Sequence, residues 1–355
     1  MSYTTVNKST DHFNVKLWTG NSGTQSITGV GFRPDLIWGK VRADNNNTGE
    51  NGHMLIDAVR GNTKYLQSNT AAAEATNSYT VTSFDSDGFS VGNKAELNSN
   101  TNTYVGWNWK AGNSSGSSNS DGSISSTVSV NTTAGFSIVK YTGTNGTATV
   151  GHGLGVEPSF IIFKCLDNGN KNWVVYHKDL TNAGSIYLDQ DSASSTSYDY
   201  FADTSPTSTV FTVKKDSSYN EVNNNGSNFI AYCFAEKPGF SSFGSYTANN
   251  SNDGPFLFCG MKPAYVVTKC TSATSHWNCF DNKRSPFNDR DDYHKLNEPT
   301  TEDTGSSNIQ VDFLSNGFKI RGNNNEINGS SRSYIYFAFS AAPLVGTNNI
   351  PATGN

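Results

Sequence analysis

Three acidic runs, DSDG (85–88), DQD (189–191) and DRDD (289–292), are where this sequence could gather carboxylates for chemistry. A carboxylate pair flanking a sugar would make a glycosidase, and several oxygens around one point would hold calcium. DSDG runs directly into the strand-like FSV, so it reads as a turn in which Asp accepts backbone N–H bonds. In DRDD, Asp289, Asp291 and Asp292 are the candidate metal ligands, set against the plainer reading that Arg290 offsets their carboxylates on an exposed loop. His12, His53, His152, His177, His276 and His294 show no HExxH or comparable metal spacing. GHGLG (151–155) lacks a following helix and a GK[ST], and reads as a turn. Ser285 in KRSP has no elbow pattern, and Cys279 has no histidine signal beyond nearby His276. The expectation is therefore a protein that is not an enzyme and requires no cofactor.

Binding is the other chemistry open to these residues. Carbohydrate recognition uses an exposed aromatic platform beside Asn, Asp and Gln side chains, and the chain is rich in both kinds. Trp173, Trp277 and the tyrosines Tyr198 and Tyr200 of SYDYF (197–201) lie outside the best-aligned strand phrases, so a sugar platform is sought there first. Trp38 and Trp107 fall inside those phrases, in register with Ile162 and Tyr232, and are assigned to core packing.

The elements that must position these residues repeat. PDLIWGK (34–40), PSFIIFK (158–164) and PAYVVTK (263–269) share a proline, an apolar run and a lysine six places on. Trp18, Tyr141 and Tyr246 stand sixteen or seventeen residues upstream of Pro34, Pro158 and Pro263. Downstream follow GFSV (88–91), VFTV (210–213) and GFKI (317–320), then YVGWNW (104–109), FIAYCF (229–234) and YIYFAF (334–339). Four phrases recurring in one order make a true repeat of about a hundred residues, long enough for each copy to hold its own core. The phrases are rich in Val, Ile, Phe, Tyr and Trp and are bounded by Gly, Asn, Asp and Pro, which reads as strand and turn. FIIF (160–163), apolar at consecutive positions, suits a central strand covered on both faces, with the lysine emerging at its end. Only AAAEA (71–75) hints at a helical turn.

The fold class that follows is all-β, with three tandem β-sandwich domains of jelly-roll or lectin-like form. The expected layout is an N-terminal arm (1–12), repeats at 13–111, 135–238 and 239–345, a Gly/Ser-rich linker at 112–134 able to become a strand, and a C-terminal tail (346–355). EKPGF (236–240) leaves almost no slack between the second and third repeats. With 15% charged residues and a net charge of −5 there is no basic surface to neutralise phosphates, so nucleic acid is not an expected partner. The start MSYTTVNKST has no apolar h-region and no eighteen apolar residues run together, so neither secretion by a standard signal nor membrane insertion is expected. The odd number of cysteines, five, and their absence from the first third argue for buried free thiols over a disulfide framework.

The phrases together resemble the repeat-containing virion structural proteins of marine tailed bacteriophages, often labelled tail-fibre or lectin-like. VKLWTG, GFRPDLIWGK, DAVRG, SFDSDGFSVG, WNWKAG, GHGLG, WVVYHK, YCFAE, KRSP and DFLSNGFKIR carry the resemblance over nearly the whole chain, while the cysteines and DRDD fall outside it. It implies a virion component and a lectin-like sandwich, and transfers no catalytic residue. The function expected is a non-enzymatic, surface-exposed virion protein, a tail-fibre or receptor-contacting component. Its partners would be other virion proteins and a host surface glycan, and it could form a homo-oligomer. The rival is a capsid-decorating protein whose three repeats imitate a trimer. A glycan-degrading enzyme on the same scaffold is the third reading.

Overall fold

The computed structural model describes residues 4–49, 51–215 and 220–345. The fold is nearly all β, built from several sheets. The C-terminal tail expected at 346–355 lies outside the described residues.

Each repeat builds one large sheet with the same strand order. An opening strand (Phe13–Thr19, Phe136–Thr142, Ser241–Thr247) pairs with a closing strand (Thr103–Trp109, Asn228–Phe234, Ser333–Pro343). The closing strand pairs next with the strand of the proline phrase (Leu36–Ala43, Phe160–Cys165, Met261–Cys270), which carries a hairpin strand (Met54–Asp57, Val174–His177, Trp277–Asp281). All these pairings are antiparallel. A small sheet accompanies each large one, and GFSV, VFTV and GFKI each form strands in it.

The consecutive apolar residues of the phrase strand are explained by what covers them. Leu36 and Trp38, Phe160 and Ile162, Tyr265 and Val267 all face one central core that draws on every repeat. The alternate residues Ile37, Ile161 and Val266 face outer cores, each closed by the small sheet of its own repeat. A period of two along a strand thus sends alternate side chains into separate cores. Trp38 and Trp107 sit in the central core as expected. Each repeat has an outer core of its own, while the inner faces of the three large sheets are buried together in one central core, which also takes in Val6 of the N-terminal arm.

One local expectation changes, and two others gain detail. The segment 112–134 contributes two strands, Ser117–Asn119 and Ser126–Asn131, and the second sits on the opening strand of the second repeat with Val128 opposite Val139. Its β-branched second half satisfies that sheet edge, so it is more than a linker. AAAEA is not helical: Glu74 N donates to Leu166 O of the second repeat at 2.9 Å. The N-terminal arm is anchored, with Val6 in the central core and Ser9 Oγ 2.9 Å from Ser340 Oγ. Among the described residues, no helix is long and apolar enough to cross a membrane.

Candidate functional site at the seams between repeats

The phrase lysines do not emerge at the strand ends. Lys40, Lys164 and Lys269 are fully buried, because both faces of their strand are covered. Each ammonium is held by backbone carbonyls. Lys164 Nζ donates to Ala71 O of the first repeat at 2.9 Å and to Lys171 O. Lys269 Nζ donates to Asp191 O of the second repeat at 2.9 Å and to Ser275 O at 2.5 Å, and Lys40 Nζ to Asn51 O. Burial pulls Lys40 down to about 7 and both Lys164 and Lys269 down to about 8.

Beside these lysines stand Trp277, opposite Lys269 at the head of its hairpin strand, and Trp173 and His53, each one residue before its own. Each donates a ring N–H to a carbonyl of another repeat. Trp173 Nε1 reaches Gln67 O at 3.0 Å and Thr70 O at 3.1 Å, and Trp277 Nε1 reaches Tyr187 O at 2.9 Å. His53 Nδ1 accepts from Trp38 Nε1 at 2.9 Å, which leaves Nε2–H to donate to Lys295 O at 3.1 Å. The second repeat grips the first, the third grips the second, and the first grips the third. The ring closes.

Two further sets of contacts run in the same cycle. Glu74 N donates to Leu166 O, Ser194 N to Thr271 O and Glu302 N to Arg42 O, each at 2.9 Å. At the other end of the hairpin strands, Tyr232 OH donates to Asp57 Oδ2 at 2.8 Å, Trp107 Nε1 donates to Asp281 Oδ2 at 3.0 Å, and His177 Nε2 lies 3.2 Å from Tyr336 O. Arg60 and Arg284 each clamp the aspartate of their own repeat at 2.5 Å, and Arg284 also meets Glu302 at 3.1 Å. Burial alone would push the Asp281 carboxyl up, yet the charge of Arg284 together with hydrogen bonds from Arg284 and Trp107 outweighs it and holds that carboxyl below the usual range.

A family profile described as a domain of unknown function, DUF7483, matches residues 8–343, from the N-terminal arm through all three repeats to the last strand. The chain belongs to the DUF7483 family. No curated protein matches it, and no solved structure matches it. The family unit therefore takes in the whole ring and not a single repeat.

In this DUF7483 chain three of the four residues sought for a sugar platform, Trp173, Trp277 and Tyr200, are buried. Trp173 and Trp277 are 0% and 1% exposed, and their polar edges are used up between repeats, so neither can meet a ligand at the surface. Tyr200 is buried in the outer core of the second repeat, 2.7 Å from Tyr187 OH, and half-buried Tyr198 stacks on it with ring centroids 6.0 Å apart. The large apolar side chains left in solvent are others: Tyr79 (59% exposed), Phe256 (46%), Phe258 (62%) and Phe287 (75%), with Val156. Strand register could have found Phe256 and Phe258, which flank the inward Leu257 on a three-residue strand.

The DRDD stretch departs from its reading as well. Arg290 is fully buried, its guanidinium 4.5 Å from the Phe313 ring, so it does not offset its neighbours on an exposed loop. Asp289 is exposed and Asp291 half-buried, where it accepts from Ser285 Oγ at 3.3 Å. Burial raises half-buried Asp292 above the ordinary carboxyl value. No group of three or more His, Cys, Asp or Glu is arranged to hold a metal ion among the described residues. DSDG is the turn it was read as, with Asp87 accepting from Gly29 N at 3.0 Å and Gly31 N at 2.7 Å. All five cysteines are free and buried, and burial pushes the Cys259 and Cys279 thiols up to about 12.

Proposed function

We propose that this protein is a non-enzymatic structural component of a tailed-phage particle, exposed on the virion, in which three sandwich-like repeats of one chain stand in for three subunits. The observation that carries the reading is the closed ring of equivalent contacts, in which Trp173, Trp277 and His53 each hold a carbonyl of another repeat. Three similar subunits joined head to tail and closing on themselves are how a trimer is built. A single chain arranged that way presents roughly threefold-related loops and is suited to sit over a local threefold of a shell. The capsid-decorating placement is accordingly preferred to the tail-fibre placement, with other virion proteins as its partners. The burial of all five thiols and of His53, His152, His177 and His294, which ties up groups nucleophilic chemistry would use, supports a non-catalytic role.

A receptor-contacting role is kept as the second reading because Tyr79, Phe256 and Phe258 stand in solvent where a host glycan could stack. Cryo-electron microscopy of intact virions separates the two. Density for the chain over threefold positions of the capsid is expected, and density on the tail or a fibre would overturn the decorating placement. Release of reducing ends from host polysaccharide by the purified protein would overturn the non-enzymatic reading.

A further inference from the structure

The three seams are built alike except in one respect. Where Trp173 meets the first repeat, the residue paired across from Leu55 is Leu66; where Trp277 meets the second, the residue across from Val175 is Ile186. At the seam joining the first and third repeats both positions are histidine: His53 replaces the tryptophan, and His294, across from Cys279, replaces the aliphatic residue. Their ring centroids are 6.3 Å apart, packed against Trp107, and both are 1% exposed or less. Neither ring nitrogen of His294 has a hydrogen-bond partner among the described residues. This is also the seam that no connecting segment spans: residues 112–134 join the first repeat to the second, and EKPGF joins the second to the third.

We infer that the contact between the first and third repeats is an acid-sensitive latch, which opens the ring when His53 and His294 take up protons. The groups around the pair leave no counter-charge for them. From the phrase strand come Lys40 and Arg42, and from the hairpin strand of the third repeat and the turn after it Cys279, Asp281 and Arg284. From the segment that follows come the backbone of Lys295 and Glu298 and the carboxylate of Glu302, and from the first repeat the neutral Trp107. Asp281 is engaged by Arg284 and Trp107, and Glu302 by Arg42 and Arg284, while Glu298 lies 3.6 Å from His276. A proton on either imidazole would face Lys40 and Arg284 in a site from which water is excluded.

Burial first, and then those cations, hold both imidazoles below the ordinary histidine value, so they are neutral while the latch is closed. Once exposed they would titrate near ~6.5. The open state then binds more protons, so the histidine contribution to closure is fully held above that value and weakens as pH falls through it, with a smaller added loss near neutral pH from Lys40, held to about 7 while closed. Between about pH 7.5 and 5.5 the opening equilibrium should rise about tenfold per histidine, about a hundredfold for the pair.

Hydrogen exchange read by mass spectrometry on the full chain tests this, with the other seams as internal controls. After correction for intrinsic exchange, the Glu302 amide should lose about a hundredfold protection between pH 7.5 and 5.5. The equivalent amides of Glu74 and Ser194 should hold theirs. Equal loss at all three, or no loss at Glu302, overturns the latch. The double variant His53→Trp, His294→Leu should abolish the selective loss, and its persistence would assign the effect to Glu302 and overturn the proposal. Should that variant fail to fold, His294→Leu alone should cut the loss to about tenfold.

Discussion

A buried ammonium is costly unless its donors are met, and Lys164 meets that requirement by joining Ala71 O to Lys171 O across two repeats. Lys164→Met should leave those carbonyls unsatisfied and cost about 1–3 kcal/mol, measured as the shift in urea unfolding. The same burial fixes a pH dependence. Lys164 and Lys269 titrate near 8 when folded, below the ordinary lysine value, so the unfolded chain binds more protons between the two values. Their contribution to stability should therefore rise with pH from about 8 to about 10, against the opposite slope set by Cys259 and Cys279, whose buried thiols keep their protons where unfolded thiols lose theirs. The gap in urea midpoint between the protein and Lys164→Met isolates the lysine contribution, and it should move in favour of the protein as pH rises from about 8 to about 10. The thiols give a third prediction at this scale. Native protein at pH 8 should react negligibly with a thiol reagent, and all five cysteines should react once it is unfolded.

Strands in the small sheets approach so closely that one residue of a pair must lack a side chain. A Cβ on Gly88 would come 2.0 Å from Ile27 O, and one on Gly317 equally close to Leu257 O. In the second repeat no glycine stands at the matching place: Gly151, opposite Val210, meets a different neighbour, because a Cβ there would strike the Asn119 side chain. Gly317→Ala should force the strands Phe256–Phe258 and Gly317–Ile320 apart and cost about 1–3 kcal/mol, seen as a lowered melting temperature. The glycine was plain in the phrases GFSV and GFKI, but its reason was not, since the clashing carbonyl lies some sixty residues away in each case. The phrase strand was more fully legible. Its unbroken apolar run announced cover on both faces, and both faces are covered.

The ring gives the molecule its cooperativity. Because the inner faces of the large sheets are buried together in one central core, removing a repeat would expose Phe160, Ile162, Trp173 and Tyr232 to water at once. Calorimetry of the full chain should show one unfolding transition, and a fragment spanning 112–238 should fail to fold as a monomer. A fragment that melts cooperatively by itself would show that the outer core suffices and that the repeats are independent domains.

Composition, turn residues and recurring phrases fixed an all-β chain of three repeats, because strand periodicity and turn chemistry are local properties written within a few residues. The same alignment placed Trp38 and Trp107 in the core, since they fell on strand positions shared by all copies. It could not place Trp173 and Trp277, which lay just outside those phrases and looked available to a ligand. Only the packing of one repeat on another turned their indoles inward, gathered Lys40, Lys164 and Lys269 under carbonyls of distant segments, and set His53 against His294. Those relations join residues 67 to 173, 187 to 277 and 53 to 295, and no period along the chain encodes them. They follow from three sheets each having one apolar face left over, and from a closed ring burying all three.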